Sequence, residues 1–498
     1  MLFNSYIFIF IFLPITLLGW YFLNSRKAYK TAMYFLAGMS LWFYGYFNYS
    51  YLLIIIASIL GNYLLSYLMN FTDSKMGRKI GLAIGLTFNL GLLFYFKYYD
   101  FFISNINAVF RADFNLKNIL LPLGISFFTF QQISFVVDRC TGKAEHYAFA
   151  DYITFVTFFP QLVAGPIVLY KELIPQFEDT ARRKFQTDNL AKGITLFVIG
   201  LSKKVLLADV LALPVNYGFA NDYLLDTPTT VLVAIAYAFE LYFDFSGYSD
   251  MAMGLGKMFN IELPMNFNSP LKSRSMKELW QRWHMTLTRF FTQYVYIPLG
   301  GSHKGKTRTL INVFIVFMLS GLWHGANWTF VVWGMLQGIM VIWDNLGIIG
   351  IKQEDGKAVP KISIPGWLGW ITTFAGFTFS FVFFRSESVA QAFQMFKNIG
   401  MLKGTGVIYK VVAALDIPEF YVIRQMIDMV NPNWVQYAYL ALFVLLLLVC
   451  AFIISRKNAV EIVRDNPLSK KMCIGTIILF AWCVISFSQV STFIYFNF

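Results

Sequence analysis

The chain has 498 residues, of which 57% are hydrophobic and 19% aromatic, whereas only 13% are charged. A soluble globular protein needs about 25% charged residues to cover its surface, so this composition excludes that class and indicates a polytopic membrane protein. The net charge of +13 does not indicate a nucleic-acid partner, because the Lys and Arg residues lie in short loops between apolar runs, as the positive-inside bias predicts.

Apolar runs long enough to cross the hydrocarbon core, about 17 residues or more, recur from one end of the chain to the other. They predict one all-α membrane domain of about ten to twelve transmembrane helices, which occupies residues 1–498 without a soluble domain. The runs lie at 3–23, 32–47, 50–69, 80–97, 119–137, 151–169, 190–212, 229–247, 310–342 (in two pieces), 367–384, 435–455 and 472–492.

Basic clusters predict the orientation in a cytoplasmic membrane. Arg26, Lys27 and Lys30 follow the first run, which predicts a cytoplasmic loop there and an extracytoplasmic N-terminus. A second cluster between residues 456 and 471 precedes the last run. The C-terminal tail, 493–498, is therefore expected on the extracytoplasmic side as well.

Two segments interrupt the apolar pattern with helix breakers or amides. Gln131 and Gln132 lie inside the run at 119–137, and such residues in a span usually form hydrogen bonds with a neighbouring helix. Residues 158–166, FFPQLVAGP, carry two prolines and a glycine. Non-helical backbone at that depth is tolerated only where protein or water covers it, so we expect a re-entrant or cavity-lining loop.

The run at 229–247 ends in a sequence with two carboxylates, Asp244 and Asp250, around a Ser-Gly-Tyr turn. The pair could hold a metal or act as acid and base, but Asp at a helix terminus more often caps backbone N–H groups. Capping is the favoured interpretation, no metal site is predicted, and no charged residue is expected in the middle of a span.

Residues 276–294 contain apolar side chains at spacings of three and four, which predicts one amphipathic helix at the cytoplasmic interface. His284 falls on one of its other faces. One interpretation of the surrounding basic segment, 251–309, is an anchor in anionic membrane lipids. The other is the wall of a funnel that binds the phosphates of a substrate through a set of cations, Lys272, Arg274, Arg282 and Arg289.

His324 lies in the apolar sequence GLWHGANWTFVVWG, residues 321–334. Burying a polar group without a partner is unfavourable, and ionisable residues inside a membrane are usually functional. His324 is therefore the first candidate for chemistry. His146 and His303 lie in polar loop sequence and are expected to face solvent.

Four blocks of this sequence resemble the membrane-bound O-acyltransferase superfamily, in particular its bacterial branch that O-acetylates alginate and peptidoglycan. The blocks are LPLGISFFTFQQISFVVD at 121–138, FFPQLVAGPI at 158–167, the long block at 243–301 and GLWHGANWTFVVWG at 321–334. The core motifs thus occupy 121–343. The resemblance implies a ring of tilted helices around a pore, with re-entrant and interfacial helices.

The resemblance also implies the roles of the site residues. The central histidine of the family corresponds to His324, which would be the general base, and the second motif histidine corresponds to His284, which would position the donor thioester. Asn327 or Trp328 would donate a hydrogen bond to the developing oxyanion, and Trp323 and Trp328 would line the substrate site. Gln161 stands where relatives often have His, which argues against acid–base chemistry there.

The expected reaction transfers an acetyl group from acetyl-CoA, a substrate and not a bound cofactor, towards an extracytoplasmic glycan, with a secreted SGNH-type acyltransferase as partner. The tail FIYFNF is similar to the tail of the small partner peptide in teichoic-acid D-alanylation. Tyr495 is accordingly either an acyl relay or an aromatic residue of the membrane interface. The alternatives are a transporter or flippase of a lipid or glycan precursor, and D-alanyl transfer to teichoic acid.

Overall fold

The computed structural model describes residues 1–71, 74–351, 360–415, 417–465, 469–489 and 492–494. The described chain is almost entirely helical, which confirms the prediction of an all-α polytopic membrane protein. Within these ranges, β structure is limited to two-residue strands, Ile349–Gly350 and Ile362–Ser363, which pair in parallel.

Eight helices of the described residues are long and apolar enough to cross a membrane: Phe8–Ser25, Ser50–Phe71, Lys75–Phe110, Thr227–Met258, Lys306–His324, Trp328–Leu346, Gly366–Arg385 and Pro432–Ser455. The other predicted runs form helices that are shorter or more polar. These are Tyr29–Gly45, Ile125–Cys140, Thr187–Ser202 with its continuation Asp209–Ala220, and Lys470–Ile485. Short helices complete the described chain: Phe149–Thr157, Phe159–Leu162, Tyr170–Glu178, Met276–Arg282, Met285–Phe291, Val389–Gly400, Ile408–Val412, Tyr421–Val430 and Ala459–Asp465.

The helix Thr227–Met258 is the most enclosed of the spans, with 83% of its apolar window buried. It packs along Thr187–Ser202 with glycines at the contact. A Cβ on Gly200 would lie 2.6 Å from the carbonyl oxygen of Gly247, and one on Gly247 would lie 2.7 Å from that of Gly200. Only glycine permits this approach of the two backbones, which is a common way for membrane helices to associate.

This close packing brings lysines of one helix against carboxylates of the other. Lys203 forms an ion pair with Asp250 at 2.6 Å, and Lys204 forms ion pairs with Asp244 at 2.6 Å and Asp209 at 2.8 Å. We call Lys204, Asp209 and Asp244 the buried charge cluster. The capping interpretation of Asp244 and Asp250 is wrong, and so is the expectation of spans without central charges, because each carboxylate lies inside a helix with a lysine partner.

The predicted break at 158–166 is confirmed. Phe159–Leu162 is a single short turn, and the chain from residue 163 to 169 is buried without regular structure. The predicted hydrogen bonding of the glutamines also holds for Gln132, whose side chain donates to Ser58 Oγ at 2.8 Å and accepts from the Tyr152 hydroxyl at 3.0 Å.

The single amphipathic helix predicted for 276–294 is interrupted. Met276–Arg282 ends before Trp283, and Met285–Phe291 begins after His284. Because the chain turns at this point, His284 lies fully buried in the protein and not on a separate face of an interfacial helix.

Candidate active site

His324 is the last residue of the helix Lys306–His324, and the helix Trp328–Leu346 begins four residues later. The two helices form a hairpin, which we call the histidine hairpin. Their backbones meet at Gly321 and Gly334, since a Cβ on Gly334 would lie 2.6 Å from the carbonyl oxygen of Phe317. The hairpin therefore holds His324 at a rigid turn.

Aromatic rings enclose the two motif histidines, which lie side by side. The ring centroids of His284 and His324 are 6.2 Å apart, and both side chains are buried. The His324 ring packs edge-on against Trp333 and Phe384, each at 5.2 Å between centroids. Phe245 packs against His284 at 4.8 Å. This enclosure limits the access of water to the imidazoles.

The hydrogen bond that His284 donates to Asn266 fixes the tautomer of the His284 imidazole. The Nδ1 atom of His284 lies 3.1 Å from Asn266 Oδ1, and an amide oxygen can only accept. Nδ1 therefore carries the hydrogen, and Nε2 presents its lone pair. The same oxygen accepts from the backbone N–H and the hydroxyl of Thr286, which identifies it as the acceptor of a small network.

His284 also adopts a left-handed backbone conformation, with φ 45° and ψ 49°. A residue other than glycine costs on the order of 1–3 kcal/mol in such a conformation, and cases of this kind are concentrated at functional sites. The surrounding contacts hold the strained turn in place, because the backbone N–H of Met285 donates to the Asn266 carbonyl at 3.0 Å.

Lys97 and Tyr98 contact the turn that carries His324, and the sequence analysis did not identify them. The Lys97 ammonium donates to the carbonyl oxygens of Trp323 at 2.6 Å and His324 at 3.0 Å. The Tyr98 hydroxyl donates to the Leu322 carbonyl at 2.8 Å. The last carbonyls of a helix lack partners within the helix and favour cations, so Lys97 and Tyr98 cap this end of the histidine hairpin.

The Lys97 side chain reaches this position from a π-helical turn, Phe94–Tyr98, inside the helix Lys75–Phe110. Such turns often mark functional sites. Lys97 could have been identified from the sequence as a lysine among aromatic residues, FYFKYYD, inside a run that otherwise qualifies as a span.

A small cavity borders His324, and a larger one lies along the histidine hairpin. A small one of about 40 Å³ is bounded by Lys97, the segment 121–127, Val163 and His324 itself. A larger one of about 470 Å³ runs along the histidine hairpin from Lys277 and Thr309 to Ser320. Ser320 lies one helical turn before His324, so the lining of the larger cavity includes a basic residue, Lys277, and a residue close in sequence to the histidine.

The predicted phosphate-binding cations make contacts within the protein. Arg289 forms an ion pair with Glu172 and donates to the Ile167 carbonyl at 3.0 Å. Arg282 pairs with Glu278 at 3.1 Å.

The remaining two predicted cations lie in the same basic segment. Lys272 donates to the Arg456 carbonyl at 2.7 Å. The backbone N–H of Arg274 donates to Glu278 Oε2 at 2.9 Å. Of the basic residues in this segment, Lys277 is the one that borders the larger cavity.

The predicted oxyanion donors take part in the architecture of the turn. Asn327 Oδ1 accepts from the backbone N–H of Thr329 at 3.1 Å, and its amide donates to the Glu387 carbonyl at 3.0 Å. The indole N–H of Trp328 donates to Asn105 Oδ1 at 2.8 Å, and its ring is exposed. Trp323, in contrast, is buried beside both histidines.

Tyr495 lies outside the described residues, although the tail preceding it, residues 492–494, is described. In the described part of the chain no group of three or more His, Cys, Asp or Glu side chains could hold a metal ion. His146 and His303 are exposed, as predicted for these two loop positions.

Residues 41–352 match the model of the membrane-bound O-acyltransferase family. The chain is 34% identical to a peptidoglycan O-acetyltransferase of Helicobacter pylori, over 100% of this chain and 98% of that protein. It is 36% identical to a probable alginate O-acetylase of Pseudomonas aeruginosa, over 80% and 74%. It is 27% identical to a teichoic acid D-alanyltransferase of Streptococcus thermophilus, over 54% and 69%. The chain belongs to the membrane-bound O-acyltransferase family and is a multi-pass membrane O-acyltransferase.

Proposed function

We propose that this protein moves acetyl groups from acetyl-CoA in the cytoplasm across the cytoplasmic membrane, for O-acetylation of an extracytoplasmic glycan. The observation that carries the proposal is the enclosed histidine pair, which a cavity approaches along the histidine hairpin. Full-length similarity to a peptidoglycan O-acetyltransferase favours peptidoglycan as the acceptor over alginate.

His324 acts as the general base in this proposal. Its imidazole removes the proton of the attacking hydroxyl, the hydroxyl oxygen forms a bond to the thioester carbonyl carbon, and the carbonyl becomes a tetrahedral oxyanion. Collapse of this intermediate breaks the C–S bond, and the leaving thiolate takes the proton back from the imidazolium. Trp333 and Phe384 keep water from the thioester, since water would compete as the nucleophile.

The larger cavity accommodates the thioester arm of the donor. Its opening beside Lys277 attracts the phosphates of coenzyme A, with Lys272, Arg274, Arg282 and Arg289 in the same basic segment. Its inner end at Ser320 brings the acetyl group to the histidines.

At that inner end three side chains assist the reaction. His284, buried beside His324, positions the donor thioester by the packing of its ring. Asn327 or Trp328 donates to the oxyanion, which requires that either side chain exchange its present partner during the reaction.

Tyr495 serves as the acyl relay. Its phenol, activated by His324, accepts the acetyl group and passes it to an SGNH-type acyltransferase on the extracytoplasmic side. An unassisted phenol has a pKa near ~10 and is a poor nucleophile, so the base is needed. Both termini then lie outside the cytoplasm, as the basic clusters predict.

The test uses His324→Ala in purified protein in nanodiscs with radiolabelled acetyl-CoA, and His303→Ala as the control. His303 is an exposed loop residue, so its substitution should leave transfer intact. Loss of a general base lowers the rate about 10²- to 10⁴-fold. If His324→Ala retains more than about a third of the wild-type label transfer, well outside that range, His324 is not the base.

D-alanyl transfer is the second candidate, because teichoic acid D-alanyltransferases match about half of this chain. Mass spectrometry of the acyl group on the C-terminal peptide separates the candidates, since alanyl and acetyl groups differ in mass. Movement of an intact lipid or sugar without covalent change would instead indicate a transporter.

A further inference from the structure

The C-terminal segment 492–494 lies against the buried charge cluster, far from it in sequence. The Lys204 ammonium donates to the Thr492 carbonyl at 3.1 Å. The backbone N–H of Ile494 donates to Asp244 Oδ2 at 2.9 Å. The Phe493 ring is buried, with its centroid 4.6 Å from Lys204 Nζ.

The buried charge cluster and the tail each donate a hydrogen bond to the other, from the Lys204 ammonium and from the Ile494 N–H. Among the described residues, the Lys204 ammonium contacts Asp209 at 2.8 Å, Asp244 at 2.6 Å and the tail carbonyl at 3.1 Å. Asp244 directs Oδ1 to Lys204 and Oδ2 to the tail amide. Removal of the tail would take one acceptor from the buried Lys204 ammonium and one donor from the buried Asp244 carboxylate, which is unfavourable.

The docked segment also borders a polar cavity of about 250 Å³. Arg385, Glu240 and Tyr237 line this cavity, and within the described part of the chain the buried Glu240 Oε2 and Tyr237 hydroxyl have no hydrogen-bond partner. Arg385 directly follows Phe384, whose ring packs against His324. Ile494 and Arg385 thus line the same cavity, and Arg385 joins it along the chain to the aromatic enclosure.

We propose that the buried charge cluster is a docking site for the C-terminal segment of this chain, and that it determines where the residue after Ile494 is presented. The inference rests on the proposed relay through Tyr495, to which it adds a positioning role for Lys204 and Asp244. Neither side chain touches the acyl group. Their charges hold a backbone carbonyl and a backbone amide of the tail.

The neighbouring ion pair between Lys203 and Asp250 provides a matched control. It joins the same two helices at the same 2.6 Å distance, but among the described residues it makes no hydrogen bond to the tail. Lys204→Met/Asp244→Leu and Lys203→Met/Asp250→Leu each replace one buried pair by apolar side chains of similar size. Both double variants are digested with carboxypeptidase in detergent. Intact-protein mass spectrometry then shows at which residue the digestion stops.

In wild-type protein and in the Lys203→Met/Asp250→Leu control, digestion should stop before it passes Thr492. In Lys204→Met/Asp244→Leu it should continue, with a rate at least about tenfold higher, because a hydrogen bond to a charged group is worth that factor or more. Formation of acetyl-tyrosine should fall in parallel. Equal digestion of both double variants, or a protected tail in Lys204→Met/Asp244→Leu, would overturn the proposal.

A second pair of variants leaves the helices untouched, in case the double variant does not fold. Ile494→Pro removes the N–H that Asp244 accepts, whereas Ile494→Val keeps it. Only Ile494→Pro should release the tail, which is read in these two variants as faster amide hydrogen exchange of the C-terminal peptide because carboxypeptidase removes proline poorly; equal exchange in both variants contradicts the docking site. The digestion end point does not depend on acyl chemistry. If Tyr495→Phe retains full glycan acetylation, the proposed relay is wrong. Carboxypeptidase digestion of the Lys204→Met/Asp244→Leu variant still tests the docking site independently.

Discussion

Replacement of Lys97 by methionine tests whether the cation at the end of the histidine hairpin orients His324. Lys97→Met keeps the length of the side chain and removes the ammonium that donates to two carbonyls of the turn. A displacement of about 1 Å at a catalytic group costs about 10² in rate. We expect kcat to fall about 10- to 100-fold, or about 1.4 to 2.7 kcal/mol in activation free energy, with little change in the KM for acetyl-CoA.

The thermal stability of Lys97→Met should change less than its activity. Two carbonyls lose a donor, at about 1–3 kcal/mol each, but the unfavourable burial of an ammonium is also relieved. Lys117→Met is the control, since the Lys117 ammonium packs on the rings of Tyr95 and Tyr99 and, among the described residues, forms no hydrogen bond with the turn. The assay is steady-state acetyl transfer in nanodiscs. A wild-type kcat for Lys97→Met would refute the positioning role.

Three further substitutions test other parts of the site and fold. Asn266→Leu should lower kcat at least about tenfold, because the histidine that it orients loses one hydrogen bond and its fixed tautomer; unchanged kinetics would contradict this role. Arg289→Glu should raise the KM for acetyl-CoA, and restoration of KM by the charge swap Arg289→Glu/Glu172→Arg would show that the ion pair, not donor binding, is responsible. Gly334→Ala should destabilise the protein by about 1–3 kcal/mol through overpacking, measured as a lower Tm. Gly475→Ala, with open space around its Cβ, should not destabilise it.

The fold class, the broken segment at 158–166 and the burial of His324 followed from the sequence, because each depends on local composition. An apolar run long enough to span, a pair of prolines and a lone histidine are visible without knowledge of the partners. Gln132 was predicted to bond a neighbouring helix for the same reason, although Ser58 and Tyr152 could not be named in advance.

The burial of His284 could not be predicted, because periodicity assumes an uninterrupted helix. The left-handed turn at His284 is held by Asn266, a residue from a preceding loop. The pairing of Asp244 with Lys204 likewise depends on the register of two helices, which the contact between Gly200 and Gly247 sets. The register of two helices depends on how they pack against each other, so it cannot be derived from the hydropathy of one segment.

The elements around the active site share one structural property, which is interrupted helical backbone. His324 ends a helix, His284 occupies a left-handed turn and Lys97 lies in a π-helical turn. Each interruption frees backbone polar groups that must find partners away from water.

Here the partners of that freed backbone are side chains that border the reactive centre. Lys97 and Tyr98 satisfy the carbonyls of one turn, and Asn266 satisfies the other turn and orients its histidine. Because the groups that stabilise the breaks also position the histidines, a substitution that relieves a break by restoring regular helix should stabilise the protein while it lowers the rate of acyl transfer.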